Sequence, residues 1–136
     1  MTALPWNNRV LVAPNAEVIL MASRLPLQSH RDIPSFLRWT LRIRGQLATT
    51  AGLIGYALDA QLLRKTFWTV SAWKSQRDLA AFNRASPHGD AVADIRPKMD
   101  RTTFVTWTTT AARLPISWHE VRSRIEEAMN AAPQGQ

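Results

Sequence analysis

The sequence predicts an α+β fold, a four-stranded antiparallel sheet with two helices on one face. Three observations predict it. Four segments have strand character, at 17–24, 51–58, 65–73 and 102–110. Helical patterns separate the first strand from the second and the third from the fourth. Only a short turn, Asp59 to Arg64, separates the second from the third, so that pair reads as a hairpin. The order is β-α-β-β-α-β, with an additional helix at the C-terminal end.

Residues 1–16 predict an irregular arm. Pro5, Asn7, Asn8, Pro14 and Asn15 punctuate it, and Val10-Leu11-Val12 suits a short edge strand. Glu17 to Arg24, EVILMASR, has the continuous apolar character of a buried strand. Asp32 is placed to cap a helix running to Leu47, and Pro34 fits its first turn, where the missing donor costs nothing. Phe36, Trp39 or Thr40, Ile43 and Leu47 recur at helical spacing, as do Leu37 and Leu41. Two glycines, Gly52 and Gly55, mark the second strand for a bend or a close approach.

The third strand, Lys65 to Trp73, carries bulky groups at alternate positions on both faces: Trp68, Val70 and Ala72 on one, Phe67 and Trp73 on the other. It breaks at Lys74-Ser75. Ser75 caps the next helix, with Asp78 placed as in a capping box. Pro87 interrupts that helix, and a second helical piece starts near His88. Thr102 to Thr110, TTFVTWTTT, is β-branched and aromatic throughout. Pro115 and Ser117 open a last helix, within 113–130, and 131–136 predict a disordered tail.

At 136 residues the chain is the size of one domain. It has no cysteine, which removes disulfides and thiolate chemistry and suits a cytoplasmic protein. No apolar run approaches the ~20 residues of a membrane span, and no signal peptide is visible. A membrane partner is therefore not expected. The net charge of +7 comes mainly from arginine, 14 of 17 basic residues, scattered except for Arg38, Arg42 and Arg44. That scatter argues against nucleic acid and leaves an anionic surface or an acidic ligand. Both faces of the sheet are apolar, and one would stay open in a single subunit. A homodimer packed sheet to sheet is expected to cover it.

The element order is that of the ferredoxin-like split βαβ. Together with FWTVSAWKSQRDLAAFNRASPHGDAV, it resembles the dimeric α+β barrel superfamily and, within it, the antibiotic-biosynthesis-monooxygenase-like proteins. FLRWTLRIRGQL and GLIGYAL are similar to the first helix and second strand of uncharacterised bacterial members, and the resemblance covers about 17–112. It implies a dimeric barrel with a pocket between helices and sheet. It also implies one of several chemistries, including oxygenation of polycyclic phenols without a cofactor and haem-dependent reactions. In the family's haem degraders a Trp on the second helix and a His ten residues later shape the site. Phe82 and Val92 stand at those places, and His88 falls four residues early, so haem degradation is not implied.

His88, at the break between two helical pieces, suits an acid or base, or a haem ligand; its blander role is a local cap. Arg38 and Arg42, four apart, suit a carboxylate or enolate, or else a solvated face. Trp39, Trp68, Trp73 and Trp107 suit the walls of an aromatic site, or core and interface packing, and Phe82 joins them. Tyr56, the one tyrosine, suits a donor to a phenolate-like intermediate. His30 and His119 suit the surface. No Gly-rich phosphate loop, metal-ligand spacing or GxSxG elbow is present. The expectation is a monooxygenase-like enzyme acting on an aromatic or polyketide-like molecule without flavin or metal. The alternatives are a haem protein with His88 as ligand and a non-enzymatic dimeric binding module.

Overall fold

In a computed structural model, residues 2–85 and 87–131 are described, with side chains from Trp6 onward. The expectation for the tail beyond Ala131 lies outside that range. The strands are β1 (Thr2–Asn8), β2 (Glu17–Pro26), β3 (Leu53–Gln61), β4 (Thr66–Trp73) and β5 (Thr103–Thr110). The helices are α1 (Ile33–Leu47), α2 (Gln76–Arg84), α3 (His88–Ile95) and α4 (Trp118–Ala131). One antiparallel sheet has the order β1-β3-β4-β2-β5. Without β1 this is the ferredoxin-like order, with the hairpin β3–β4 beside the split pair β2 and β5.

β1 is a correction. Residues expected to form an irregular arm instead pair with β3 from Thr2↔Ala60 to Asn8↔Gly55, while Val10 to Val12 form no strand. Proline is tolerated at a sheet edge, and the register shifts between Leu4 and Asn7, across Pro5 and Trp6. Gly55 makes room for this, because a Cβ there would run into the Trp6 ring.

α1, α2 and α3 cover one face of the sheet. Two apolar clusters lie beneath them, one around Trp73, Leu79 and Phe82, the other around Phe36, Phe67 and Ile95. Ser23 and Thr69, paired across β2 and β4, share a hydrogen bond on this face. Ser75 caps α2 as its sequence suggests, accepting from the Asp78 N–H at 3.1 Å. Asp32 makes no side-chain cap on α1. Ser29 caps the short turn before it instead.

The second face is not open. α4 lies on it, burying Val121 and Ile125 against Val18, Leu20, Val70 and Ala72. Each such side chain contributes ~1.5–3 kcal/mol. An ion pair joins half-buried Arg122 of α4 to the buried Asp59 of β3. The physical ground for a sheet-to-sheet homodimer therefore disappears: the chain's own last helix supplies the apolar cover that a second copy was expected to supply.

Candidate functional site

His88 opens α3, and three contacts fix it. Its backbone N–H donates to Gln46 Oε1 of α1 at 3.0 Å. Its Nδ1 lies 3.2 Å from the Asn83 carbonyl. Its ring packs on Phe82, with centroids 4.7 Å apart, and Phe82 in turn packs on Trp73 at 5.2 Å. Burial lowers the His88 pKa below its ordinary 6.5, with the Asn83 hydrogen bond opposing the shift. His88 is therefore mainly neutral at pH 7. With Nδ1–H donating to Asn83, Nε2 is the acceptor nitrogen. Trp73, Phe82 and His88 thus form a packed column rather than the wall of a hollow.

The space for a guest lies elsewhere on the same side. A cleft of about 270 Å³ is lined by Trp6, Asn7 and Asn8 of β1, Arg44 of α1, and Tyr56, Ala57 and Leu58 of β3. Asn7 Nδ2 donates to the Tyr56 hydroxyl at 3.3 Å. A cation, a phenol and two carboxamides therefore converge over apolar groups, the composition of a small-molecule site. Tyr56 also packs against the cluster holding Trp73 and Phe82, so His88 reaches the cleft only through those rings. A second cleft, about 320 Å³, lies beside Trp6 among Val10, Leu11, Val12, Ile54 and Leu114. It offers no charged group and no phenol, so it is the weaker candidate.

Several expected residues fall outside the site. Arg38 and Arg42 are exposed on α1, as Arg44 is, but do not line the cleft, and the Arg42 guanidinium lies 5.0 Å over the Trp39 ring. The inward face of α1 is taken by Phe36, Ile43 and Leu47, which leaves both arginines outward. Trp39 is half-buried and donates to Asp94 of α3 at 2.8 Å, a helix-to-helix tie. Trp68 faces α4, because its odd separation from Trp73 puts the two on opposite sides of β4. Arg24 and Arg122 lie over the Trp68 ring at 5.7 and 5.4 Å. Trp107 is on that side too, under Arg124 at 4.5 Å. His30 holds the Leu63 carbonyl at 3.0 Å, a loop contact. Of the substrate-binding candidates, only Tyr56 lines the cleft. Asn7, Asn8, Trp6 and Arg44 were missed. Arg44 falls at i+7 from Leu37 on the flank shared with Leu41, a spacing that was available in the sequence.

No family model matches the sequence, and no curated protein does. Solved structures do. SnoaB, a cofactor-independent oxygenase from Streptomyces nogalater, solved as a point mutant, aligns at 11% identity over 72% of this chain and 97% of its own, with a TM-score of 0.57. The chain has the fold of the antibiotic-biosynthesis-monooxygenase-like proteins. A candidate antibiotic biosynthesis monooxygenase from Caulobacter crescentus aligns at 17% over 71% of this chain and 92% of that one, with a TM-score of 0.57. A candidate monooxygenase from Fusobacterium nucleatum reaches a TM-score of 0.64 at 7% identity, over 77% of this chain, but the chain spans only 50% of that protein's length. At these identities the fold is what is shared.

Haem does not fit the residues around His88. Phe82 packs against the ring, and neither cleft includes His88. Among the described residues no three His, Cys, Asp or Glu gather as metal ligands, and no helix is long and apolar enough to cross a membrane.

Proposed function

We propose that this chain is a small-molecule-binding, monooxygenase-like enzyme that acts on an aromatic or polyketide-like substrate without flavin or metal. The observation that carries the proposal is the cleft in which Arg44, Tyr56 and Asn7 converge over Trp6 and Leu58. In this reading the substrate has an acidic C–H beside a carbonyl. Arg44 and Tyr56 stabilise its enolate oxygen, with the Asn7 carboxamide setting the Tyr56 hydroxyl. The substrate proton passes to solvent, and the enolate carbon gives an electron to dioxygen. The resulting pair combines and takes up a proton as a C–OOH hydroperoxide, which breaks its O–O bond and loses water to leave one oxygen on that carbon as a new carbonyl. Trp6 and Leu58 shield the reacting carbon from water. His88 lies outside the cleft and acts as a positioning residue, fixing the α2–α3 junction against Gln46 of α1.

The test uses anthrone, a tricyclic ketone whose enol is a phenol, with oxygen consumption as the readout. Arg44→Met is expected to lower the rate about 10²-fold, the scale for losing one oxyanion donor. An unchanged rate removes Arg44 from the chemistry. Binding of anthrone without oxygen uptake favours the non-enzymatic module instead.

A cytoplasmic location and a homodimer belong to the same reading. The first is supported by the lack of cysteine. The second now has a different support: β5 is a sheet edge, and its Phe104 is 60% exposed. An exposed, β-prone edge favours pairing with a second copy. Native mass spectrometry of the same preparation that finds only single subunits at high concentration removes the dimer.

A further inference from the structure

Four exposed leucines sit on two elements, α1 and the β3–β4 hairpin tip, whose stretches of sequence carry most of the excess positive charge. Leu37, Leu41 and Arg44 recur at i, i+4 and i+7, so they occupy one flank of α1. Arg44 lines the cleft with Tyr56 and Leu58, so that flank faces the β3 side. β3 ends at Gln61, and the hairpin tip that follows carries Leu62 and Leu63. Leu37, Leu41, Leu62 and Leu63 are 38%, 67%, 41% and 92% exposed. His30 holds the Leu63 carbonyl, which ties the tip to the segment leading into α1.

The same two stretches of chain are basic. Residues 28–48 contain Arg31, Arg38, Arg42 and Arg44 against one carboxylate, Asp32, and residues 60–65 add Arg64 and Lys65 with no acid. Six cations against one anion leave +5 of the chain's +7 here. Nucleic acid would use the cations and gain nothing from the leucines. An apolar protein groove would take the leucines and leave the cations unmatched. A bilayer surface bearing anionic headgroups satisfies both.

We propose that the outer flank of α1 and the β3–β4 hairpin tip dock on an anionic lipid surface. The leucines enter the boundary between headgroups and acyl chains, and Arg31, Arg38, Arg42, Arg64 and Lys65 contact lipid phosphates. A membrane partner was not expected from the sequence because no segment spans a bilayer. Surface docking needs no span, only apolar groups ringed by cations. The inference does not depend on the chemistry of the cleft.

The test is co-sedimentation of the full chain with vesicles of phosphatidylcholine, or of equal parts phosphatidylcholine and phosphatidylglycerol. Binding is expected only to the second and should weaken with added salt. The double variant Leu62→Ser, Leu63→Ser should bind roughly tenfold or more weakly at an unchanged melting temperature. Arg64→Ser should cost roughly fivefold. No binding to the phosphatidylglycerol vesicles overturns the proposal. So does unchanged binding by the leucine variant, which would mean charge alone acts. Duplex DNA that competes the chain off the vesicles without any dependence on the leucines would assign the surface to nucleic acid instead.

Discussion

The two faces of the sheet are held by different physics. Under α1, α2 and α3 the contacts are apolar and aromatic, and the buried polar groups are neutral: the Ser23 and Thr69 hydroxyls, and Ser71 accepting from Trp73 Nε1 at 2.8 Å. Under α4 a single apolar cluster is bordered by charge: Asp59, fully buried, pairs with Arg122, and Arg122 and Arg24 lie over Trp68. Neutral groups bonded to one another can exchange partners at modest cost. A buried carboxylate cannot lose its cation cheaply. The helix face can therefore tolerate the rearrangements a guest requires, while the α4 face fixes one arrangement of the last helix.

The largest effect should come from breaking that charged lock. Arg122→Ala leaves Asp59 buried with no cation, and Asp59 Oδ1 already has no hydrogen-bond partner among the described residues. The expected loss is ~3–5 kcal/mol in urea unfolding. The double variant Asp59→Leu, Arg122→Leu should recover most of it, because an apolar pair avoids the desolvation cost. A loss under ~1 kcal/mol for Arg122→Ala would show that apolar contact alone seats α4, and the contrast between the faces would fail.

A smaller effect is expected on the helix face. Phe82→Leu keeps an apolar group between Trp73 and His88 but removes the ring that both touch. A loss of ~1–2 kcal/mol is expected. It should come with a rise in the His88 pKa, because the smaller side chain admits water to the imidazole. Histidine chemical shifts followed against pH would show it. A destabilisation as large as that of Arg122→Ala would make this face as rigid as the other.

Local signals made the fold legible. The period-2 runs, the Ser75 cap and the short hairpin turn each depend on neighbours in sequence, and they fix the ferredoxin-like core. What failed depends on distance. β1 was hidden because Pro5 and the Asn7-Asn8 pair look like punctuation, and only its partner β3 makes a strand of them. α4 was recognised as a helix, but its docking rests on Asp59 and Arg122, 63 residues apart. The site suffered from both. Tyr56 was legible as the one tyrosine on a strand, yet its neighbours Asn7 and Arg44 come from two other elements. Arg38 and Arg42 stood out by spacing, but spacing alone does not say which flank of a helix looks inward.

The finest contrast between the faces is in their response to acid. The His88 pKa is lowered in the folded chain, so the unfolded chain takes up that proton first as pH falls. The neutral imidazole costs the fold nothing above the ordinary value of 6.5. Below it, proton binding by the unfolded state lowers stability, and the fall continues until the folded-state pKa is passed. His88→Gln retains a side-chain donor for the Asn83 carbonyl and removes the titration. Urea unfolding of both proteins between about pH 7.5 and 5 should therefore give a wild-type curve that drops more steeply below about pH 6.5. Every other ionisable group is common to both proteins and cancels in the difference. Parallel curves would mean that the His88 ring is as free in the folded chain as in the unfolded one, and that Phe82 and Gln46 do not hold it.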